Sequence, residues 1–172
     1  MPNTVYLAYG SNLHPLRLSS RVASARFLDV VEMPGYQLAF HKRSIDGSAK
    51  CLVYSGQDSS RVVYGALYEF ESHEKQVLDK FEGVGNGYIE QPLQLTLNKE
   101  TLNSYAYFAQ ATHIEPALVP YDWYKALVLA GARHHGLPAE YVASIEATPS
   151  IPDPDIERAQ ANAKLLRQMG QR

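Results

Sequence analysis

The chain has one cysteine, Cys51, among its 172 residues. A single thiol cannot close an intrachain disulfide or build a cysteine metal cluster, and a chain without disulfides suits a reducing compartment. No apolar run approaches the ~20 residues that span a bilayer. The opening Met-Pro-Asn-Thr has neither the charged nor the apolar stretch of a secretory signal. The expected location is the cytoplasm. Charge of one sign is also lacking, since the formal net charge is −2. No basic stripe points to nucleic acid, and no cationic amphipathic helix points to a membrane surface. These absences leave a small molecule or another protein as partner, with a homodimer as one open assembly.

What is present is an ordinary globular balance, 45% hydrophobic and 20% charged residues, enough apolar side chain at this length for a core without staples. Residues 1–147 read as one domain, and 148–172 as a proline-containing linker and a terminal helix. Tyrosine stands out, with 12 residues against five phenylalanines and one tryptophan. Each brings an apolar ring and a hydroxyl that wants a partner. Two readings stand: rings packed on a half-buried sheet, or a polar cavity lined by phenols.

Thr4–Tyr9 is a short β-type run ending in the turn cluster Gly10-Ser11-Asn12. A helix is expected over Pro15–Ala23, capped by Ser11 or Asn12, with Pro15 in its first turn. Strands follow at Arg26–Glu32, Tyr36–Lys42, Ala49–Tyr54 and Val62–Phe70. Ser72–Phe81 reads as a helix capped by Ser72, with Val77, Leu78 and Phe81 as its apolar stripe and Gly83 as its stop. Tyr88–Leu97 and Leu102–Ala109 pair across Asn98–Thr101. The pattern then turns helical at Tyr121–His135, Pro138–Ala147 and, beyond the linker Thr148–Asp155, Ile156–Met169. Strands first and helices later predict an α+β fold with a mixed sheet curled toward a barrel.

Two places can carry chemistry. The first is the loop Tyr9-Gly10-Ser11-Asn12. A strand that ends in Gly-Ser-Asn and turns into a helix exposes backbone N–H groups that favour carboxylates and developing oxyanions, and glycine lets a ligand come close. The same residues also suit a plain helix cap. The second is Glu82, at the edge of the apolar stripe and just before Gly83. There the negative end of the helix dipole and partial burial both favour the protonated carboxyl, the property wanted in a general acid–base group. A surface glutamate at a helix end is the alternative. Other candidates are weaker. His134 and His135 cannot face one metal from a regular helix, and read as surface histidines favoured by the dipole. His14, His41, His73 and His113 are scattered. Asp153 and Asp155 read as solvated linker residues.

The chain resembles the gamma-glutamylcyclotransferase family. The likeness rests on Tyr6-Leu7-Ala8-Tyr9-Gly10-Ser11-Asn12-Leu13, on Phe81-Glu82-Gly83 followed by Gly87-Tyr88, and on Ser104-Tyr105. It continues through Tyr124-Lys125, Gly131-Ala132, Gly136-Leu137-Pro138 and Glu140-Tyr141. These marks fall in the family's order across residues 4–147. The resemblance implies a small mixed β-barrel of about six to seven strands with flanking helices. It implies a cofactor-free and metal-free reaction of lyase type. A gamma-glutamyl amide, the small-molecule substrate, cyclises to 5-oxoproline and releases an amine or amino acid. It puts Glu82 in the general acid–base position, Tyr9, Gly10, Ser11, Asn12 and Leu13 in the substrate loop, and Tyr88, Tyr105 and Tyr124 at the pocket. The Ser-Asn form differs from the Tyr-Gly-Thr-Leu loop of gamma-glutamylamine cyclotransferases and from the Tyr-Gly-Ser-Leu loop of the glutathione-specific branch. The stretch from Thr148 onward matches nothing in the family pattern.

Overall fold

The short apolar run near the N-terminus becomes the centre of the sheet. In the computed structural model, which describes residues 2–170, β1 (Asn3–Ala8) lies between two neighbours. It runs antiparallel to β5 (Val62–Glu71) and parallel to β7 (Glu100–Ala109). Tyr6, Leu7 and Ala8 are all buried, as expected of a strand covered on both faces. β2 (Arg26–Pro34) flanks β5, and β6 (Tyr88–Leu97) flanks β7, giving the order β2-β5-β1-β7-β6. β3 (Tyr36–Arg43) and β4 (Ala49–Ser55) form a separate antiparallel pair. That pair packs β3 against β5 and β4 against β7. The expected barrel is therefore a curled five-stranded sheet with a two-stranded one laid across it.

The β6–β7 hairpin shows local chemistry setting register. Asn98 and Lys99 both have positive φ, 51° and 69°, the requirement of a two-residue turn that matches strand twist. Leu97 therefore pairs with Glu100, and β7 begins two residues earlier than expected.

The helices depart more from expectation. α1 (Pro15–Ser19) stops short of Ala23. His14 caps it, its Nδ1 accepting from the Leu16 N–H at 3.1 Å. Neither Ser11 nor Asn12 serves that role. The chain beyond is held by the Glu74 carboxylate, which accepts from the N–H groups of Ala23 at 3.0 Å and Ser24 at 3.1 Å. Ser72–Glu74 is a single 3₁₀ turn without a side-chain cap, and α2 (Lys75–Glu82) follows, ended by Gly83 at φ 67°. Of the expected stripe only Leu78 is buried; Val77 and Phe81 are 43% and 57% exposed. The inward face of α2 is instead Lys75, Leu78, Asp79 and Glu82, at helical spacing. A helix that turns three charged residues inward on one leucine is not explained by packing alone.

α3 (Asp122–His134) and α4 (Ala139–Glu146) pack on each other, and α5 (Ile156–Gln168) packs on α3. The linker before α5 is pinned: the Asp122 N–H donates to the Ile151 carbonyl at 2.9 Å, and the Ile151 N–H to the Pro120 carbonyl at 3.1 Å. Asp153 is not solvated. Its side chain is fully covered, accepting from Trp123 Nε1 at 2.7 Å and from Arg158 Nε and Nη2 at 2.6 Å each. The hydrogen-bonded Arg158 guanidinium holds this carboxyl well below the usual range. Asp155 caps α5, accepting from the Arg158 N–H at 3.0 Å. Among the described residues, no helix is long and apolar enough to cross a membrane.

Candidate active site

The polar face of α2 meets the first-strand loop. Glu82 Oε1 accepts from Asn12 Nδ2 at 2.9 Å and from Arg21 Nη1 at 2.6 Å. Arg21 also donates to Asn12 Oδ1 at 3.0 Å, and Asn12 Nδ2 reaches the Tyr6 hydroxyl at 3.2 Å. The Arg21 and Glu82 side chains are only 12% and 16% exposed. Glu82 Oε2 makes no hydrogen bond among the described residues. A second tie fixes this helix end: the Tyr107 hydroxyl donates to Asp79 at 2.6 Å, three residues before Glu82.

Two cavities meet at this carboxylate. The inner one, about 20 Å³, is walled by Tyr6, Tyr9, Tyr88, Tyr107 and Tyr124, with Gly10-Ser11-Asn12 and Cys51 completing it. Its phenols hold the walls together. The Tyr9 hydroxyl donates to the Tyr107 carbonyl, and the Tyr88 hydroxyl to the Cys51 carbonyl. The Tyr124 hydroxyl accepts from the Cys51 N–H at 3.0 Å. Gly10 is tight against this wall, since a Cβ there would stand 3.1 Å from Cys51 Cβ and 3.4 Å from the Tyr124 hydroxyl. Burial raises the pKa of all five phenols and pushes the Cys51 thiol up to about 12. Neutral phenols can donate but cannot serve as base, and a protonated, buried thiol is a poor nucleophile.

The outer cavity, about 110 Å³, is lined by Arg17, Arg21, Lys42 and Lys50, with Ser11, Ser44, Phe81, Trp123 and the shared Glu82, Tyr88 and Tyr124. Lys50 is fixed by Asp46 at 2.7 Å and Ser48 at 2.8 Å. Its ammonium lies 4.7 Å from the Trp123 ring centre and 4.8 Å from that of Tyr124. Trp123 is the residue gripped by Asp153, so the C-terminal arm buttresses this wall. A larger groove of about 510 Å³ lies elsewhere, along Tyr36–His41 and α4, and no carboxylate lines it.

The loop is held from behind by α3. At Gly131 a Cβ would stand 2.3 Å from Leu13 Cβ and 2.8 Å from the His14 nitrogen. The Leu13 carbonyl accepts from the Tyr68 hydroxyl at 2.6 Å and from His135 Nε2 at 2.7 Å. His135 also stacks on Phe27 with ring centres 4.7 Å apart. It is half-buried behind the loop, whereas only His134 is the expected exposed histidine.

Known proteins resemble this chain in sequence and in fold. Residues 62–145 fit the model of the AIG2-like family. The gamma-glutamylcyclotransferase of Bos taurus is 31% identical over 149 residues, 80% of this chain and 74% of that protein. The protein of that name from Homo sapiens is 31% identical over 152 residues, 83% of this chain and 77% of its own length. The chain belongs to the gamma-glutamylcyclotransferase family. A solved gamma-glutamyl cyclotransferase superposes with a TM-score of 0.78 at 22% identity, over 95% of this chain and 99% of that one, which shows a shared fold.

Of the residues marked by the family resemblance, Tyr9, Gly10, Ser11, Asn12, Glu82, Tyr88 and Tyr124 line the inner cavity. Leu13 and Tyr105 do not. Leu13 is fully buried, its backbone turned to Tyr68 and His135. Tyr105 packs behind Tyr6, ring centres 5.3 Å apart, and Tyr107 takes the lining position. The two-residue period of a strand puts 105 and 107 on one face, a signal that would have named both. Arg21, Lys42 and Lys50 carried no such local signal.

Proposed function

We propose that this gamma-glutamylcyclotransferase family member converts a gamma-glutamyl amide into 5-oxoproline and a free amine, with Glu82 moving the protons. One observation carries the reading. Among the described residues, Glu82 is the one carboxylate lining both cavities, and its Oε2 has no partner.

At neutral pH the substrate's alpha-amine is an ammonium and cannot attack. Glu82, paired with Arg21 at 2.6 Å through Oε1, accepts a proton at Oε2. The freed amine attacks the gamma-carbonyl carbon. This step is intramolecular, so the protein's task is to fold the substrate into the attacking geometry, which the tight inner walls suit. The N–H groups of Ser11 and Asn12 have no backbone or side-chain acceptor among the described residues, so they are available to the carbonyl oxygen as charge develops on it. Protonated Glu82 then passes its proton to the departing nitrogen, the carbon–nitrogen bond breaks, and the lactam remains. The ring nitrogen sheds two protons in all: Glu82 carries the first to the departing nitrogen, takes up the second from the ring nitrogen in turn, and passes it to the released amine, which leaves as an ammonium.

The test is a panel of gamma-glutamyl amides with 5-oxoproline as the measured product. Wild type is expected to turn over at least one member. Glu82→Gln should lose roughly 100-fold to 10,000-fold in kcat, the usual range for a general acid–base group, while melting with wild type. A Glu82→Gln variant at wild-type rate would end the acid–base assignment. Binding of the amides without turnover by wild type would favour a non-catalytic binding module.

A further inference from the structure

The outer cavity carries more positive charge than its neighbours neutralise. Arg21 is matched by Glu82 at 2.6 Å, and Lys50 by Asp46 at 2.7 Å. Lys42 is different. The residue is only 5% exposed, yet among the described residues it makes no ion pair and no hydrogen bond. Its ammonium lies 4.5 Å from the Tyr88 ring centre. It passes so close to Gly87 that a Cβ there would stand 2.6 Å from Nζ. With glycine at 87, the lysine tip lies directly against the backbone there. Burial lowers the pKa of this ammonium. In the same wall, Arg17 has its Nε buried without a partner. Buried charge without a counter-charge is costly. Among the described residues, Arg17 Nη1 meets only the Asn162 amide oxygen, at 3.5 Å. The Glu82 and Asp46 carboxylates that act on Lys42 from a distance are already paired with Arg21 and Lys50, so both cations face one solvent-connected space.

We infer that Lys42, with Arg17 in the same wall, binds a carboxylate carried by the leaving amine. Lys42 then determines specificity, selecting gamma-glutamyl amides with an anionic leaving group over neutral ones. This rests on the cyclisation reading and deepens it. The alternative anion is the glutamyl alpha-carboxylate, common to every such substrate. The cations line the outer cavity, which shares Glu82, Tyr88 and Tyr124 with the inner one and, at about 110 Å³ against about 20 Å³, gives a departing amine more room.

The experiment compares gamma-glutamyl-alanine with gamma-glutamyl-ethylamide, which differs by lacking the carboxylate. Wild type should favour the charged amide in kcat/KM. In Lys42→Met that preference should fall about tenfold or more, mainly through KM, as expected for a lost charge-assisted hydrogen bond. Lys42→Gln should show the same direction. An unchanged preference would overturn the assignment. So would an equal loss on both amides, which would place Lys42 on the shared alpha-carboxylate. If wild type turned over no member of the amide panel, the cyclisation reading would fail by itself. Calorimetric binding of both amides to wild type and Lys42→Met would still decide: weakening confined to the charged amide supports the anion subsite, and no difference overturns it.

Discussion

The two cavities that meet at Glu82 are built on opposite plans. The inner one has five phenols, a glycine turn and no cation, and at about 20 Å³ has room for roughly one water. The hydroxyls of Tyr9, Tyr88 and Tyr124 are held by backbone groups of Tyr107 and Cys51, while Glu82 Oε2 and the Ser11 and Asn12 N–H groups are left without a partner among the described residues. The outer one is about five times larger and carries four cations with two aromatic clamps. Preorganised neutral dipoles suit a reaction whose charge changes step by step. Unspent positive charge suits recognition of a fixed anion. The contrast matches the proposed division of labour, with bond-making at the shared carboxylate and selection among the outer cations.

Asn12→Ala attacks the inner plan and should have the largest effect of three further substitutions. It removes the donor to Glu82 Oε1 and the acceptor of Arg21 together, so kcat should fall roughly 10-fold to 100-fold with a smaller change in KM. Steady-state kinetics on the best amide of the panel checks this, and a change in KM alone would blur the contrast. Asp153→Asn attacks the outer plan from a distance. It loosens the grip of Arg158 and Trp123, and KM for a charged amide should rise roughly threefold to tenfold with kcat near wild type. Equal effects on neutral and charged amides would break the link between the C-terminal arm and selection.

The smallest effect lies outside both cavities. His14 sits behind the loop with its ring centre 4.4 Å from that of His134. Burial first, then His134 and His135, lower its pKa from 6.5 to about 4. The unfolded chain therefore takes up this proton before the folded one does. Stability is fully present above the ordinary histidine range and is lost as the pH falls toward about 4. His14→Asn keeps a capping side chain. It should narrow the difference in melting temperature between neutral pH and about pH 4 by a few degrees. An unchanged difference would mean that His14 does not titrate in this window.

Local signals carried much of this architecture. Leu93, Leu95 and Leu97 alternate with exposed residues along β6, so the hairpin was legible, and Gly83 marked the end of α2. What a single stretch cannot show is which partner arrives from elsewhere in the chain. Asn12 and Glu82 are 70 residues apart, and each alone fitted a helix cap or a surface glutamate. The Glu74 carboxylate closes the turn after α1 from 50 positions away. Phe81 fitted the stripe of α2 by spacing, but it lies under the Arg21 guanidinium, 5.0 Å from its centre. Asp153, read from a proline-rich linker, was captured by Trp123 and Arg158. Each miss is a long-range polar contact overriding a local pattern.

The glycine at 131 ties the two cavities into one mechanism of alignment. Trp123 and Gly131 ride on the same helix, eight residues or roughly 12 Å apart along its axis. At one station α3 presents an indole to the outer cavity. At the other it leaves out a side chain so that Leu13 and His14 can lie flush against its backbone. A roll of that shaft would move both at once, lifting the loop that positions Asn12 as it swings the wall that frames Lys50. The arm that grips Trp123 braces that shaft, so the loop carrying Asn12 and the wall framing Lys50 lean on one support.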